Sequence, residues 1–169
     1  MSRRWPRIAA AAAAVLVGVF AGGCSSDNTR GGIPAAAYVA ALGPFLPEPP
    51  ADDDTDPAVV YVAPLGESPL ALDAQVAVID ALVECCDVRF VDTVDVAIDD
   101  GSDGAPPRDH GLLLAIGTIL AESPHTVRVE EYTDAQRTAA HLVTVVERAG
   151  AWAVSAVDEV DPEVLVGDG

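Results

Sequence analysis

Apolar and polar positions recur with different periods along the chain, and the periods divide it into elements. Ala35 to Leu42 is a short apolar stretch of good helix formers that Gly43-Pro44 stops, which predicts a short helix. Pro47 to Pro57 is dense in Pro and Asp and reads as a loop. Ala58-Val59-Val60-Tyr61-Val62 is a continuous β-prone run between Pro57 and Pro64, which predicts a buried strand. Ser68-Pro69 has the form of a helix start, an N-cap residue followed by Pro at the first helical position. From Leu70 to Val83, the residues Leu72, Val76, Ile79 and Val83 step by four, three and four. That spacing puts one apolar stripe on a helix, with Asp73, Asp80 and Glu84 mostly off it.

The period then changes. Val88, Phe90, Val94, Val96 and Ile98 all fall on even positions, with Arg89, Thr93 and Asp95 between them. Period two predicts a half-buried strand with an interruption, and Asp92 stands on its apolar face. Asp99 to Pro107 reads as a loop. Gly111 to Leu120 is apolar throughout; Gly117 and Thr118 favour a strand over a helix. Thr126 to Tyr132 and Thr138 to Arg148 read as strands. Ala149-Gly150 forms a two-residue hairpin turn, and Trp152, Val154 and Ala156 line one face of a last strand.

Helical elements come first and a run of strands last. This order predicts an α+β fold: an antiparallel sheet with a C-terminal β-meander and one or two helices packed on one face. With 169 residues, half of them apolar, the chain suits one domain with a packed core. Residues 58–166 are expected to form it. The closing hairpin, with a Trp opening the last strand, resembles the end of nuclear-transport-factor-2-like cone folds over about 35 residues. In such a cone, an acid facing the cavity would serve as a general base, and Asp92 is the residue so placed. Paired with Arg89 or another Arg, or set at a strand end in solvent, Asp92 would have no such role.

The first 24 residues carry a different signal. Arg3, Arg4 and Arg7 make a positive end, Ile8 to Phe20 an uncharged apolar run, and Ala21-Gly22-Gly23 a small-residue site. The apolar run is shorter than the ~20 residues that span a bilayer as a helix. Cys24 follows directly. Residues 21–24 resemble the bacterial lipobox, which implies diacylglycerol on the Cys24 thiol and cleavage just before it. Ala21 departs from that pattern, where Leu is usual. More broadly the chain resembles secreted lipoproteins of actinobacterial type, a likeness that implies export and carries no activity. Residues 1–23 are then a signal peptide. Residues 24–57 are the lipidated Cys, a tether and a Pro/Asp-rich linker holding the short helix. The expected location is the outer face of the cell membrane, lipid-anchored.

Charge narrows the class of partner. The formal net charge is −18, and removal of Arg3, Arg4 and Arg7 with residues 1–23 takes it to −21. Such a surface repels nucleic-acid phosphates and anionic headgroups. The expected partners are the membrane, through the lipid, and an envelope protein, with no nucleic acid.

Catalytic and metal motifs give little. Cys85 and Cys86 are adjacent, and three readings stand: a strained disulfide between them that acts as a redox switch, a bridge to another chain, or two small apolar residues at a helix end. Asp52, Asp54 and Asp56 alternate as at the start of an EF-hand loop. Pro57 stands where the turn glycine belongs, however, and Ala63 where the bidentate Glu belongs. His110, His125 and His141 are spread over three segments, and only Asp109-His110 sets a His beside an acid. No cofactor and no metal are expected. The sequence thus favours a non-catalytic lipoprotein whose domain binds a partner or ligand. A cone-fold enzyme using Asp92 and a cation- or redox-responsive envelope sensor are the alternatives.

Overall fold

The structure, a computed structural model, describes residues 33–49, 56–66, 69–98, 104–133 and 137–161. Cys24, the whole signal region, Asp52 and Asp54 lie outside the described residues, as does Ser68. The elements run α1 (Ala35–Leu42), β1 (Ala58–Pro64), α2 (Leu72–Leu82), β2 (Cys86–Phe90), β3 (Leu112–Ile116), β4 (His125–Tyr132), β5 (Arg137–Arg148) and β6 (Ala151–Glu159). Short 3-10 turns occupy Gly43–Phe45, Val94–Ala97 and Arg108–His110.

The fold is α+β, with one six-stranded sheet in the order β2-β1-β3-β4-β5-β6. β3 to β6 form the expected antiparallel meander. The N-terminal side differs from a wholly antiparallel sheet, because β1 pairs parallel with both β2 and β3. Parallel neighbours need crossovers, and right-handed crossovers are strongly preferred. β2 and β3 flank β1 on opposite sides, so two right-handed crossovers must pass over opposite faces. α2 makes the first. On the other face, Ala97 and Ile98 of the β2–β3 connection are buried against Tyr61 and Leu113.

This arrangement explains the continuous apolar run in β1, where Val60 to Ala63 are all buried because both faces are covered. Val60 and Val62 join Leu114, Ile116, Val127, Val129, Val143 and Val145 in the main core beneath the helices. α1 belongs to that core through Ala37, Tyr38, Ala41 and Leu42. The Tyr38 hydroxyl accepts a hydrogen bond from the Ile119 backbone N–H at 3.3 Å. Gly111 opens β3 because a Cβ there would lie 2.9 Å from the Val59 carbonyl oxygen.

Four local expectations are corrected. α2 begins at Leu72 with Ala71 at the N-cap position and no side-chain cap, so Pro69 precedes the helix rather than opening it. The face α2 buries is Ala74, Val78 and Leu82; the stripe of Leu72, Val76, Ile79 and Val83 faces solvent. The period-two strand ends at Phe90, and Val94–Ala97 is a helical turn whose alternation mimicked a strand. In β6 the alternation breaks at a bulge opposite Thr144/Val145, so Trp152 and Val154 pack on the core while Ala156 is exposed.

Candidate functional site

A crevice of about 60 Å³ opens at the carboxyl ends of β1 and β2. The crossovers leaving these two strands pass over opposite faces, and such a switch point is where open sheets of this kind receive ligands. Most lining residues are apolar by type, among them Val62, Pro64, Leu70, Phe90 and Ile116, with Gln75 and Asp92 as the polar side chains, but polar atoms make up the larger part of the exposed lining. Gln75 spends its amide N–H on the Leu70 carbonyl at 2.8 Å. Asp92 is exposed and stands in the turn after β2, not on an apolar strand face. The chain leaves the sheet just before it, where the Val91 N–H donates to the Val62 carbonyl at 3.0 Å. Among the described residues, Asp92 is the one ionisable side chain lining the crevice.

Two charged clusters lie on the sheet face opposite the helices. The first surrounds Glu130, 1% exposed and the one buried charged side chain among the described residues. Arg128, Glu130 and Tyr132 share this face because alternate residues of a strand do. Glu130 Oε1 accepts from Arg128 Nε at 2.7 Å and from Arg137 Nη1 at 2.8 Å. The Tyr132 hydroxyl donates to Oε2 at 2.7 Å. Burial alone would raise the Glu130 carboxyl, but hydrogen bonds from Tyr132, Arg137 and Arg128 outweigh it and hold the carboxyl below its ordinary range. Burial and the bond to Glu130 push Tyr132 up to about 12.

The second cluster joins β1 and β2 to the turn before β3. The Tyr61 hydroxyl donates to Asp109 Oδ2 at 2.9 Å, and Arg89 Nη1 reaches the same oxygen at 2.6 Å. Arg89 also donates to Asp87 at 2.7 Å. The hydrogen bonds from Tyr61 and Arg89 lower the Asp109 carboxyl, while burial and the bond to Asp109 raise the Tyr61 hydroxyl. Arg89 thus serves Asp87 and Asp109, and no contact to Asp92 is formed. Asp109 and His110 both hold positive φ, 56° and 52°, in this turn.

The three histidines have separate surroundings. His110 is exposed. The His125 Nδ1 lies 3.0 Å from the Leu120 carbonyl oxygen, and its ring meets the edge of Trp152 with centroids 5.2 Å apart. His141 Nε2 lies 2.8 Å from Glu131 Oε1, with the Phe45 ring 5.0 Å away. Sequence reasoning missed both the Glu130 cluster and the His141–Glu131 contact. The signal for the first was present, since Arg128-x-Glu130-x-Tyr132 must share a strand face. The second needed the register that sets Ala139 opposite Glu131 and His141 opposite Val129.

Cys85 and Cys86 are free thiols with different surroundings. The Cys85 Sγ donates to the Pro47 carbonyl at 3.5 Å, whereas Cys86 is buried at the start of β2. Burial, with the neighbouring Cys85, pushes the Cys86 thiol up to about 12. Asp56 is exposed. Among the described residues no three His, Cys, Asp or Glu side chains gather as a metal site would require. No described helix is long and apolar enough to cross a membrane.

The largest unspent feature is α2 itself. Leu72 is 74% exposed, Val76 50%, Ile79 37% and Val83 66%. Four bulky aliphatic side chains thus line the solvent side of one helix, adjoining the crevice at Leu70 and Gln75. A contiguous apolar stripe of this kind marks an interaction surface more often than isolated exposed residues do. No family model, curated protein or solved structure matches the chain. The arrangement presents an exposed aliphatic stripe on α2 and one exposed carboxylate beside a small crevice.

Proposed function

We propose that the chain is an exported lipoprotein, anchored through Cys24 to the outer face of the membrane, whose α+β domain is a non-catalytic docking module for an envelope protein. The observation that carries the docking reading is the solvent-facing stripe of Leu72, Val76, Ile79 and Val83. The anchor rests on the basic end, apolar run and small residues that lead to Cys24. Two or more acyl chains there make the attachment stable, since one chain is marginal.

Intact mass of the membrane-purified protein tests the anchor. The expected mass is that of residues 24–169 plus acyl groups, and Cys24→Ser abolishes both the acylation and membrane retention. An unacylated wild-type mass overturns the anchor. For docking, a photocrosslinker at Val76 is compared in intact cells with one at Thr144, on the opposite sheet face. Discrete adducts from Val76 alone are expected; equal or absent adducts at both overturn the reading.

Asp92 at the lip of a switch-point crevice favours a second reading, a small-ligand or catalytic site. General acid–base chemistry needs a partner group within hydrogen-bond reach of the substrate. A ligand whose binding is lost in Asp92→Asn, with the α2 stripe intact, would favour this reading over docking.

A further inference from the structure

The docking surface has a chemistry of its own. Leu72, Val76, Ile79 and Val83 follow the four-three-four spacing of a helix seam that pairs with another helix. At 1.5 Å per residue, the seam runs about 16 Å, or three turns. At about 100° per residue, Asp73 and Asp80 project on one flank of it, Glu84 follows just past the helix end, and all three are exposed. No Lys, Arg or His lies between Leu72 and Glu84. The nearest following cation, Arg89, already pairs with Asp87 and Asp109. The opposite flank turns toward Gln75 and the body of the domain.

This charge pattern decides between occupants. An anionic membrane surface would meet three carboxylates on a domain that is already strongly acidic. A second copy would bring three more acids and no base to the seam, and like charges across an interface are costly. A helix with an apolar stripe and cations beside it would satisfy both the stripe and the flank.

Resting on the docking reading, we propose that α2 receives a basic amphipathic helix of a partner protein. Its apolar side chains pack on the Leu72–Val76–Ile79–Val83 seam, and its Lys or Arg residues lie along Asp73, Asp80 and Glu84. Three turns of partner helix match the seam. The apolar contact holds the complex, and the acidic flank selects the partner and fixes its direction.

The test uses the full chain in zwitterionic nanodiscs, with binding to empty nanodiscs subtracted. The probes are two fluorescent peptides of roughly 16 residues that share one Leu/Ile stripe, one flanked by Lys and the other by Glu. The Lys peptide is expected to bind at least about tenfold more tightly, with affinity falling as salt rises. Val76→Ser with Val83→Ser abolishes binding. Asp73→Asn, Asp80→Asn and Glu84→Gln together bring the two peptides within about twofold of each other. All five positions are exposed, so the variants keep the fold.

Equal binding of both peptides, lost in the Val76/Val83 variant, overturns the basic partner and leaves the docking reading standing. Self-association of the chain that the same variant abolishes overturns it in favour of a second copy. Lys-peptide binding that survives in that variant overturns it as adhesion to acidic surface. If neither peptide binds and the Val76 crosslinker captures nothing, the docking reading falls with it.

Discussion

Val76 and Val78 sit two residues apart on α2 and face opposite environments: Val78 is fully buried under the sheet, and Val76 is half exposed. The consequence is measurable. Val78→Ala should cost about 2 kcal/mol, from lost burial and the cavity left behind. Val76→Ser should change stability by no more than about 0.5 kcal/mol. Urea unfolding of the two variants decides the orientation of α2; equal losses would mean the helix is rotated from the position described.

Why the sequence pointed to the other face is physical. Two apolar stripes compete along α2, on either side of the acidic flank: bulky residues at 72, 76, 79 and 83, and Ala74, Val78 and Leu82. Periodicity favours the bulkier set. In the structure the smaller set meets the sheet. Ala74 lets the backbone approach closely where a Leu would not. The strands and α1 were legible because their runs are bounded by Pro, Gly or a polar residue. The parallel pairing of β1 with β2 and β3 was not, because register between distant segments leaves no local mark. Asp92 read as buried because the alternation from Val88 continued through a helical turn at Val94–Ala97.

Glu130 should dominate the acid sensitivity of the fold. Its carboxyl is held below its ordinary value of 4.5 by Tyr132, Arg137 and Arg128. A depressed folded-state value means the unfolded chain binds the proton more readily. The stabilisation is therefore fully present above about pH 4.5 and is lost as pH falls below it toward the folded-state value. Glu130→Gln leaves Arg128 and Arg137 without their shared counter-charge and should cost about 2–4 kcal/mol at neutral pH. The variant's stability should also vary less with pH below 4.5 than the wild type's. Unfolding curves between about pH 3 and 7 test both; parallel pH profiles would show that Glu130 is not the responsible group.

The β5–β6 turn can be improved. Ala149 and Gly150 hold φ of 52° and 80°, the paired left-handed conformations of a tight hairpin. Ala adopts that region at a cost of about 1 kcal/mol, whereas Asn tolerates it. Ala149→Asn should therefore stabilise the domain by about 0.5–1 kcal/mol, and Gly150→Ala should destabilise it by about 1 kcal/mol. No neighbouring atom lies within 4 Å of a Cβ added at Gly150, so conformation and not crowding sets that loss. Thermal unfolding of the two variants should move in opposite directions.

Cys85 and Cys86 should differ in reactivity even though they are adjacent. Cys86 is buried at the start of β2, and its thiol is pushed up to about 12, so almost no thiolate exists near neutrality. Cys85 is half-buried, with its thiol against the Pro47 carbonyl. Iodoacetamide at pH 8 should label Cys85 in the native protein and spare Cys86 until the fold is opened with denaturant, as peptide mass mapping would show. Val88→Ala, two residues along β2 on the same core face as Cys86, should speed labelling of Cys86 by loosening its cover. A native mass two hydrogens light that reductant restores would instead establish a Cys85–Cys86 bridge. Both thiols would then be protected from the start, and the sensor reading would gain the redox couple it needs.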